Sequence, residues 1–203
     1  MTVEIIGFPR SNFVRAVRMA AEEKGISYDH NKATPHSDEV KAINPFGLIP
    51  VMKDGDLEIS ESIAIAQYFD RAFDGPALVP SDAKAAAKVD QWVARITTSL
   101  DQLLMRRYVV PYAFHRDDDG NVIRTEIDKA VKRFPKVFPM LDAAVADGFI
   151  AGADFSLADC FLTPMLAAVS NFPEGKEAIE ANPNLKAYFE RMSARESFQN
   201  TAG

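Results

Sequence analysis

Cysteine is almost absent from this sequence, and several signatures of chemistry are missing altogether. The 203 residues include one cysteine, Cys160, which excludes an internal disulfide and any CxxC redox centre. The three histidines, at positions 30, 36 and 115, lack metal-ligand spacing, and no phosphate-binding glycine loop or GxSxG nucleophile motif occurs. We therefore expect no metal site and no bound cofactor.

Basic charge and long apolar runs are also scarce. The formal net charge of -6 argues against a nucleic acid or an anionic membrane as the main partner. No apolar run approaches the ~18 residues that a membrane-spanning helix needs. The first stretch, MTVEIIGFPRSN, has no basic region followed by an apolar core, so we expect no secretory signal and a cytoplasmic location.

The first 75 residues have the pattern of a small α/β layer. An apolar run, an amphipathic segment ending at Gly25 and a second short run predict a βαβ unit, with its parts at residues 2–8, 11–25 and 26–33. The strands PVMKD and LEIS flank a turn that we place at Asp54-Gly55, a strong hairpin signal. A helix over 60–73 follows.

The pattern then changes from mixed to purely helical. Pro, Gly, Asp and Ser are concentrated in DGPALVPSDAK (74–84), which reads as a linker. Apolar residues recur at helical spacing through the stretches 85–110, 122–147, 156–171 and 184–195. Pro135 and Pro139 should kink or divide the second of these.

Two serines sit at predicted helix starts. Ser156 and Asp159 in FSLADC have the spacing of a capping box, and Cys160 behind them is expected in the core. Ser11 lies between the first strand and the first helix, where a serine serves either as an N-cap or as a hydroxyl donor to an anion. The nearby arginines, at 10, 15 and 18, form either a solvated face or a positive collar around that helix start.

The chain resembles the cytosolic glutathione transferase family over essentially its whole length. The resemblance rests on NPFGLIPVM, ESIAIAQYF and FIAGADFSLADCF, in this order and at these spacings. GFPRSNFVRAVR is similar to the serine-type, phi- and theta-like branches, and we expect a bacterial member. The resemblance implies a thioredoxin-like N-terminal domain (1–75), a linker (76–84) and a helical-bundle C-terminal domain (85–203) that lines the electrophile site.

The same resemblance implies a glutathione site. Pro50 stands where a strand begins, and in the family this proline is cis, which presents the backbone of Ile49 to the cysteinyl unit of glutathione. Glu61 and Ser62 would bind the γ-glutamyl end at a helix start. Ser11 matches the catalytic serine. Two points stay open: whether Asn12 shares or takes over the sulfur contact, and whether His36 or Lys41 holds the glycyl carboxylate.

We therefore expect a transferase that adds the glutathione thiolate to small hydrophobic electrophiles, with glutathione as co-substrate and detoxification as its role. An apolar pocket between the domains would be lined by Phe8, Phe13, Arg107, Tyr108 and Tyr112, although their helical spacing fits a core face equally well. A two-fold homodimer is implied. The alternative is a non-catalytic relative that binds a partner or a hydrophobic ligand.

Overall fold

The computed structural model describes residues 2–202 and divides them into two compact units. One consists of residues 2–82 together with 194–202, and the other of residues 83–193. The predicted fold class is confirmed: a thioredoxin-like domain comes first and a helical domain follows. The predicted helical domain ran to residue 203, whereas in the structure the last nine described residues belong to the first unit.

The first unit is built on a four-stranded mixed sheet in the order β2-β1-β3-β4. β1 pairs parallel with β2 and antiparallel with β3, and β3 pairs antiparallel with β4. The strands are β1 (Val3–Ile6), β2 (Tyr28–Asn31), β3 (Val51–Asp54) and β4 (Leu57–Ser60). The helices are α1 (Asn12–Lys24), α2 (Asp38–Ile43) and α3 (Ser62–Ala72). The short helix α2 was not predicted from the sequence.

The β1-α1-β2 unit forms where it was predicted, because both ends of α1 have the right capping residues. Ser11 is the N-cap in extended conformation, and Gly25 ends the helix with a left-handed φ of 69°. Val14 and Val17 of α1 are fully buried, as are Ile5 and Ile6 of β1. Burial of this apolar face orients the helix and so fixes where its first residue lies.

The predicted hairpin is present, but its turn lies one residue later than predicted. Asp54 is the last residue of β3 and pairs with Leu57, so the two loop residues are Gly55 and Asp56. Gly55 has a φ of 63°, and a glycine in the first loop position of a two-residue hairpin satisfies this requirement. The prediction of Asp54-Gly55 as the turn was therefore wrong by one position.

The end of the chain docks on α1 through polar contacts. Arg18, only 8% exposed, donates to the carbonyls of Asn200 (3.0 Å) and Thr201 (3.2 Å). Glu23 accepts two hydrogen bonds from Arg195, at 2.8 and 2.6 Å. These contacts explain why residues 194–202 belong to the first unit. The alternative that the arginines at 10, 15 and 18 form a solvated face is therefore wrong for Arg18, which is buried.

The second unit contains only helices among its described elements. A continuous helical run spans residues 83–114, and it comprises α4 (Ala83–Arg95), a π-helical segment (Ile96–Val109) and α5 (Val110–Phe114). The hydroxyls of Thr97 and Thr98 donate to carbonyls four residues earlier, where the helix widens. The later helices are α6 (Thr125–Val131), α7 (Phe134–Ala144), α8 (Leu157–Ser170), α9 (Pro173–Glu180) and α10 (Pro183–Ser193). α11 (Glu196–Asn200) belongs to the first unit.

Helix α8 is the core of the second unit. It begins at the predicted capping box, in which the Asp159 carboxylate accepts the N–H of Ser156 at 2.9 Å. Most of its side chains are buried, including Cys160 at 0% exposure, as expected for a core residue. α6 and α7 are separated at Lys132 and Arg133, and Pro135 lies in the first turn of α7, where its missing N–H costs nothing. Pro139 lies inside α7.

Candidate functional site

The loop between β1 and α1 is held tightly, and it carries Ser11. The N–H of Gly7 donates to the carbonyl of Asn31 (2.8 Å), and Nε2 of His30 donates to the carbonyl of Gly7 (2.9 Å). Burial lowers the pKa of His30, so a neutral ring makes this bond. A Cβ at position 7 would come within 2.6 Å of Val14, so only glycine allows this close approach. The loop therefore delivers Ser11 to a fixed position at the start of α1.

Ser11 and Asn12 differ in how their side chains are engaged. The Oγ atom of half-buried Ser11 accepts the N–H of Val14 at 3.5 Å, a long hydrogen bond for an N-cap. Asn12, the first residue of α1, is 8% exposed, and its Nδ2 atom has no hydrogen-bond partner among residues 2–202. Both side chains thus lie at the helix N-terminus, where backbone N–H groups favour an anion.

The segment from Asn44 to Pro50 is shaped by one buried amide. Asn44, 2% exposed, donates through Nδ2 to the carbonyl of Leu48 (2.9 Å) and accepts the N–H of Phe46 (3.1 Å). The Ile49-Pro50 peptide bond is cis, as the resemblance implied. Within the described residues 2–202, the backbone N–H and C=O of Ile49 form no hydrogen bond. Ile49 therefore has an unpaired backbone edge one residue ahead of Pro50-Val51, where β3 begins.

His36 and Lys41, the two candidates for one role, lie in different settings. His36 has a φ of 65°, and its N–H donates to the carbonyl of Gly47 at 2.8 Å. A Cβ on Gly47, whose own φ is 68°, would clash with Nδ1 of His36, so the imidazole packs directly on that glycine. Lys41 is an exposed residue in the last turn of α2. His36 therefore contacts the segment that contains Ile49 through Gly47, whereas the exposed side chain of Lys41 does not.

Glu61 and Ser62 lie at the start of α3, where the backbone conformation is unusual. Glu61 is the N-cap with φ 71° and ψ 113°, and its exposed side chain makes no capping bond. A non-glycine residue in such a region costs about 1–3 kcal/mol and is typical of functional sites. Ser62 is the first helical residue, so the free N–H groups of the first turn surround this pair.

The two tyrosines of the second unit that were predicted to line a pocket, Tyr108 and Tyr112, are buried. Tyr108 is fully buried, and its hydroxyl accepts the N–H of Gly175 (2.7 Å) and donates to Glu174 (3.2 Å). Burial raises the pKa of Tyr108 well above its usual range. Tyr112, 9% exposed, donates to the same carboxylate at 2.7 Å. Tyr108 thus fits the core alternative and does not line an open pocket. Arg107 is exposed and lies 4.0 Å from Glu126.

Phe8 and Phe13, the two phenylalanines expected at the pocket, belong to the first unit. Phe8 is 41% exposed, and its carbonyl accepts the N–H of Ser11 at 3.0 Å. Phe13 is partly buried in the first turn of α1. An exposed aromatic side chain thus lies in the same short loop as Ser11.

Two family models match the chain. A model of the glutathione S-transferase N-terminal domain matches residues 5–77, and a model of the C-terminal domain matches residues 86–191. The second match alone spans more than half of the 203 residues. The chain belongs to the glutathione S-transferase family. Its relatives place it among the cytosolic transferases, with phi- and zeta-like similarity.

The relatives of this glutathione S-transferase family member match over nearly full length. Glutathione S-transferase 3 of Zea mays is 29% identical over 98% of this chain and 92% of its own. The stringent starvation protein A homolog of Pasteurella multocida is 25% identical over 94% of this chain and 85% of its own. A solved glutathione S-transferase of Methylobacillus flagellatus, with glutathione bound, is 25% identical with a TM-score of 0.83, covering 99% of both chains.

The described residues carry neither a metal-binding cluster nor a membrane-spanning helix. Residues 2–202 contain no cluster of three or more His, Cys, Asp or Glu side chains arranged to hold a metal ion. None of the helices described in this family member is long and apolar enough to cross a membrane.

Asn44-Pro45 and Gly47 predict a turn, but the part that the Asn44 side chain plays in shaping the site was not predicted. Its side chain accepts a backbone N–H two residues later, which is an Asx-turn. The signal for the turn was present, because Asn44-Pro45 with a glycine two residues later, at position 47, is turn chemistry.

Proposed function

We propose that this family member is a serine-type glutathione transferase that conjugates the glutathione thiolate to small hydrophobic electrophiles, with detoxification as its role. The observation that supports this most is the unpaired backbone of Ile49 beside a cis proline. An edge of this kind is suited to pairing with an extended peptide, which is recognition by β-augmentation. The related Methylobacillus flagellatus structure contains bound glutathione, which supports the same assignment.

The tripeptide would be held at three places. The Ile49 backbone pairs with the cysteinyl unit. Glu61 accepts the γ-glutamyl ammonium, and Ser62 with the first turn of α3 receives its carboxylate. His36 donates to the glycyl carboxylate, a role we assign to it over Lys41 because it packs on Gly47 in the segment that leads to Ile49. These contacts leave the thiol directed toward Ser11.

Ser11 would make the thiol reactive. A free thiol with a pKa of about 8.5 is only a few per cent ionised at pH 7. A hydroxyl donor and the α1 N-terminus both favour the thiolate, and the thiol proton leaves to water. The thiolate sulfur then forms a bond to the electrophilic carbon, and the leaving group departs with its electron pair. Exposed Phe8 offers an apolar surface in the same loop.

A homodimer is part of the proposal. Phe46 is 76% exposed and Leu48 54% exposed, two apolar side chains close together in the Asn44–Pro50 segment. Burying such a patch against a second copy of the chain is favourable. Sedimentation of the purified protein should give twice the mass of one chain, and a single-chain mass at micromolar concentration would contradict this part.

The test of the function has two steps. The protein should be retained on immobilised glutathione and eluted by free glutathione, and it should then turn over a generic aryl halide. Retention without turnover on a panel of electrophiles would favour the alternative, a non-catalytic binding or regulatory protein. That alternative has some support, since one relative carries the name of a starvation protein.

Substitution of Glu61 should separate stability from binding. We expect Glu61→Gly to raise the free energy of unfolding by about 1 kcal/mol, because glycine adopts a φ of 71° without strain. The same change should weaken glutathione binding tenfold or more, because a hydrogen bond to a charged group is worth about 1.5–3 kcal/mol. Calorimetric titration and thermal unfolding measure the two effects.

Glu61→Gln is the matched control, since it keeps the backbone conformation and removes the charge. It should lose glutathione affinity without gaining stability. If Glu61→Gly binds glutathione as tightly as the unmodified protein, Glu61 is not a ligand of the γ-glutamyl end.

Substitution of His36 tests the glycyl carboxylate contact. His36→Ala should raise the KM for glutathione about tenfold, the effect of losing one hydrogen bond to a charged group. The unmodified protein should prefer glutathione over its glycyl ester, and this preference should disappear in His36→Ala. A larger effect on this preference from Lys41→Ala would assign the contact to Lys41.

A further inference from the structure

Residues 194–202 are fastened to the middle of α1 by a buried arginine. Arg18 donates to the carbonyls of Asn200 (3.0 Å) and Thr201 (3.2 Å), which lie at the end of α11, where helix carbonyls have no partner inside the helix. Arg18 is 8% exposed, and its third contact is the hydroxyl of Tyr28 at 3.2 Å. Because hydrogen bonds from a charged donor are among the strong ones, Arg18 fixes one end of the segment on the helix.

Two carboxylates farther along α1 hold the same segment. Glu23 accepts from Arg195 at 2.8 and 2.6 Å and also from the hydroxyl of Ser197. Glu22 accepts from the side-chain amide of Asn200 at 2.9 Å. Positions 15, 18, 22 and 23 have the spacing of one side of a helix, so the segment follows that side of α1.

Arg15 connects the segment to the first turn of α1. Its backbone N–H donates to the carbonyl of Ser11 at 2.9 Å, which is the first hydrogen bond of the helix. Its side chain donates to the carbonyl of Phe198 at 3.3 Å, and the guanidinium carbon lies 4.2 Å from the centre of the Phe198 ring, a cation–π contact. A single residue therefore bonds Ser11 through its backbone and the segment through its side chain.

The docking of the segment depends on these polar contacts. Within residues 194–202 no apolar side chain is buried, Phe198 is partly buried, and the buried residues are Ser197 (6% exposed) and Thr201 (0% exposed). Segments with few buried apolar contacts open more readily than the core of a domain. Single substitutions in these contacts should therefore loosen the segment without unfolding the rest of the unit.

We propose that residues 194–202 act as a clamp on α1 that holds Ser11 in place to bind the glutathione thiolate, with Arg15 as the positioning residue. This inference rests on the proposed function, because it needs Ser11 to bind the thiolate. Arg15 makes no contact with the sulfur and acts through the position of Ser11. A loosened clamp lengthens the hydrogen bond to the sulfur and so weakens its preference for the charged form. Glutathione affinity, assigned to Ile49 and Glu61, is kept.

The main test is Arg195→Met, which frees one end of the clamp and leaves α1 and the proposed glutathione site unchanged in sequence. Its partner Glu23 lies about 18 Å from Ser11 along the helix, at about 1.5 Å per residue. This exceeds the Debye length of about 8 Å, so the direct effect of the lost charge on the thiolate is small. We expect the pKa of bound glutathione to rise by about half a unit and turnover near pH 7 to fall about threefold, with recovery at higher pH and little change in KM.

Two further variants change the contact with Arg15 itself. Arg15→Met should raise the pKa of bound glutathione by about one unit and lower turnover near pH 7 about tenfold. Phe198→Ala removes the ring under the guanidinium and leaves every charge in place, so a shift of about half a unit is expected. Arg71→Met is the matched control, because Arg71 is an exposed arginine of α3 that contacts Gln67 at 3.5 Å. It should leave both the pKa and turnover unchanged.

Thiolate absorbance, the pH–rate profile and the melting temperature decide the outcome. Lower melting temperatures with unshifted profiles in all three clamp variants would overturn the proposal and make residues 194–202 purely structural. A shift in Arg15→Met alone would assign the effect to its charge and overturn the clamp as well. If Arg15→Met does not fold, Arg195→Met and Phe198→Ala decide with the same readings. An unmodified protein that binds no glutathione overturns the proposed function itself, whereas unshifted profiles in a protein that binds and turns over glutathione overturn only this inference.

Discussion

Ser11→Ala should raise the pKa of bound glutathione and lower turnover at pH 7 by roughly ten- to a hundredfold. A hydrogen bond to a charged group is worth about 1.5–3 kcal/mol, which corresponds to about one to two pKa units. The affinity for glutathione should change little, because Ile49 and Glu61 are proposed to hold the rest of the tripeptide. Part of the lost activity should return as the pH rises toward the pKa of the free thiol, since the thiolate then forms without help.

The structure also gives Ser11 a capping role, so the experiment must separate the two. The cap is weak, with 3.5 Å between Oγ and the N–H of Val14. Loss of a cap alone lowers stability by about 1 kcal/mol and leaves the pH–rate profile in place. Ser156→Ala is a suitable control, because Ser156 is an N-cap in the other unit. If Ser11→Ala behaves like this control while Asn12→Ala shifts the profile, the sulfur contact belongs to Asn12.

Local chemistry in the sequence predicted much of the fold. Helix α1 begins after Ser11 and ends at Gly25, because capping needs a side-chain oxygen at one end and a left-handed residue at the other. The Ser156 capping box and the hairpin were also predictable, because each depends on residue types that lie close together in the sequence. The cis bond before Pro50 came from the family resemblance alone, since about 5–6% of X-Pro bonds in folded proteins are cis.

Contacts between distant parts of the chain could not be predicted in this way. Arg18 binds the carbonyl of Thr201, 183 residues away, so its neighbours in sequence indicate only a charged helix face. The helical spacing of Tyr108 is compatible with a pocket residue and with a core residue. Its hydroxyl accepts the N–H of Gly175, a contact that the spacing does not predict and that shows Tyr108 to be a core residue. The residue types at positions 36 and 61 do not predict the positive φ values of His36 and Glu61, because glycine is the residue expected at a positive φ.

Asp159→Ala should cause the largest loss of stability among single substitutions considered for the helical unit. The carboxylate is fully buried and accepts four hydrogen bonds: from the N–H of Ile150 (3.1 Å), the hydroxyl of Tyr188 (2.8 Å), and the N–H and hydroxyl of Ser156 (2.9 Å each). Each buried donor left without a partner costs about 1–3 kcal/mol. Three residues lose their acceptor at once, so we expect a loss of at least about 3 kcal/mol, or roughly 6–12 °C in melting temperature.

Two related substitutions provide melting temperatures with which that of Asp159→Ala is compared. Ser156→Ala removes only one member of the network, so the melting temperature should fall by a few degrees, the usual effect of losing a cap. Asp159→Asn keeps the shape but turns an amide N–H2 toward groups that are themselves donors, so its loss should be intermediate. Turnover per folded molecule should be unchanged in all three variants, because none of them touches the proposed glutathione site. A melting temperature of Asp159→Ala within a degree or two of Ser156→Ala would mean that the four bonds do not act together and that Ser156 alone carries the cap.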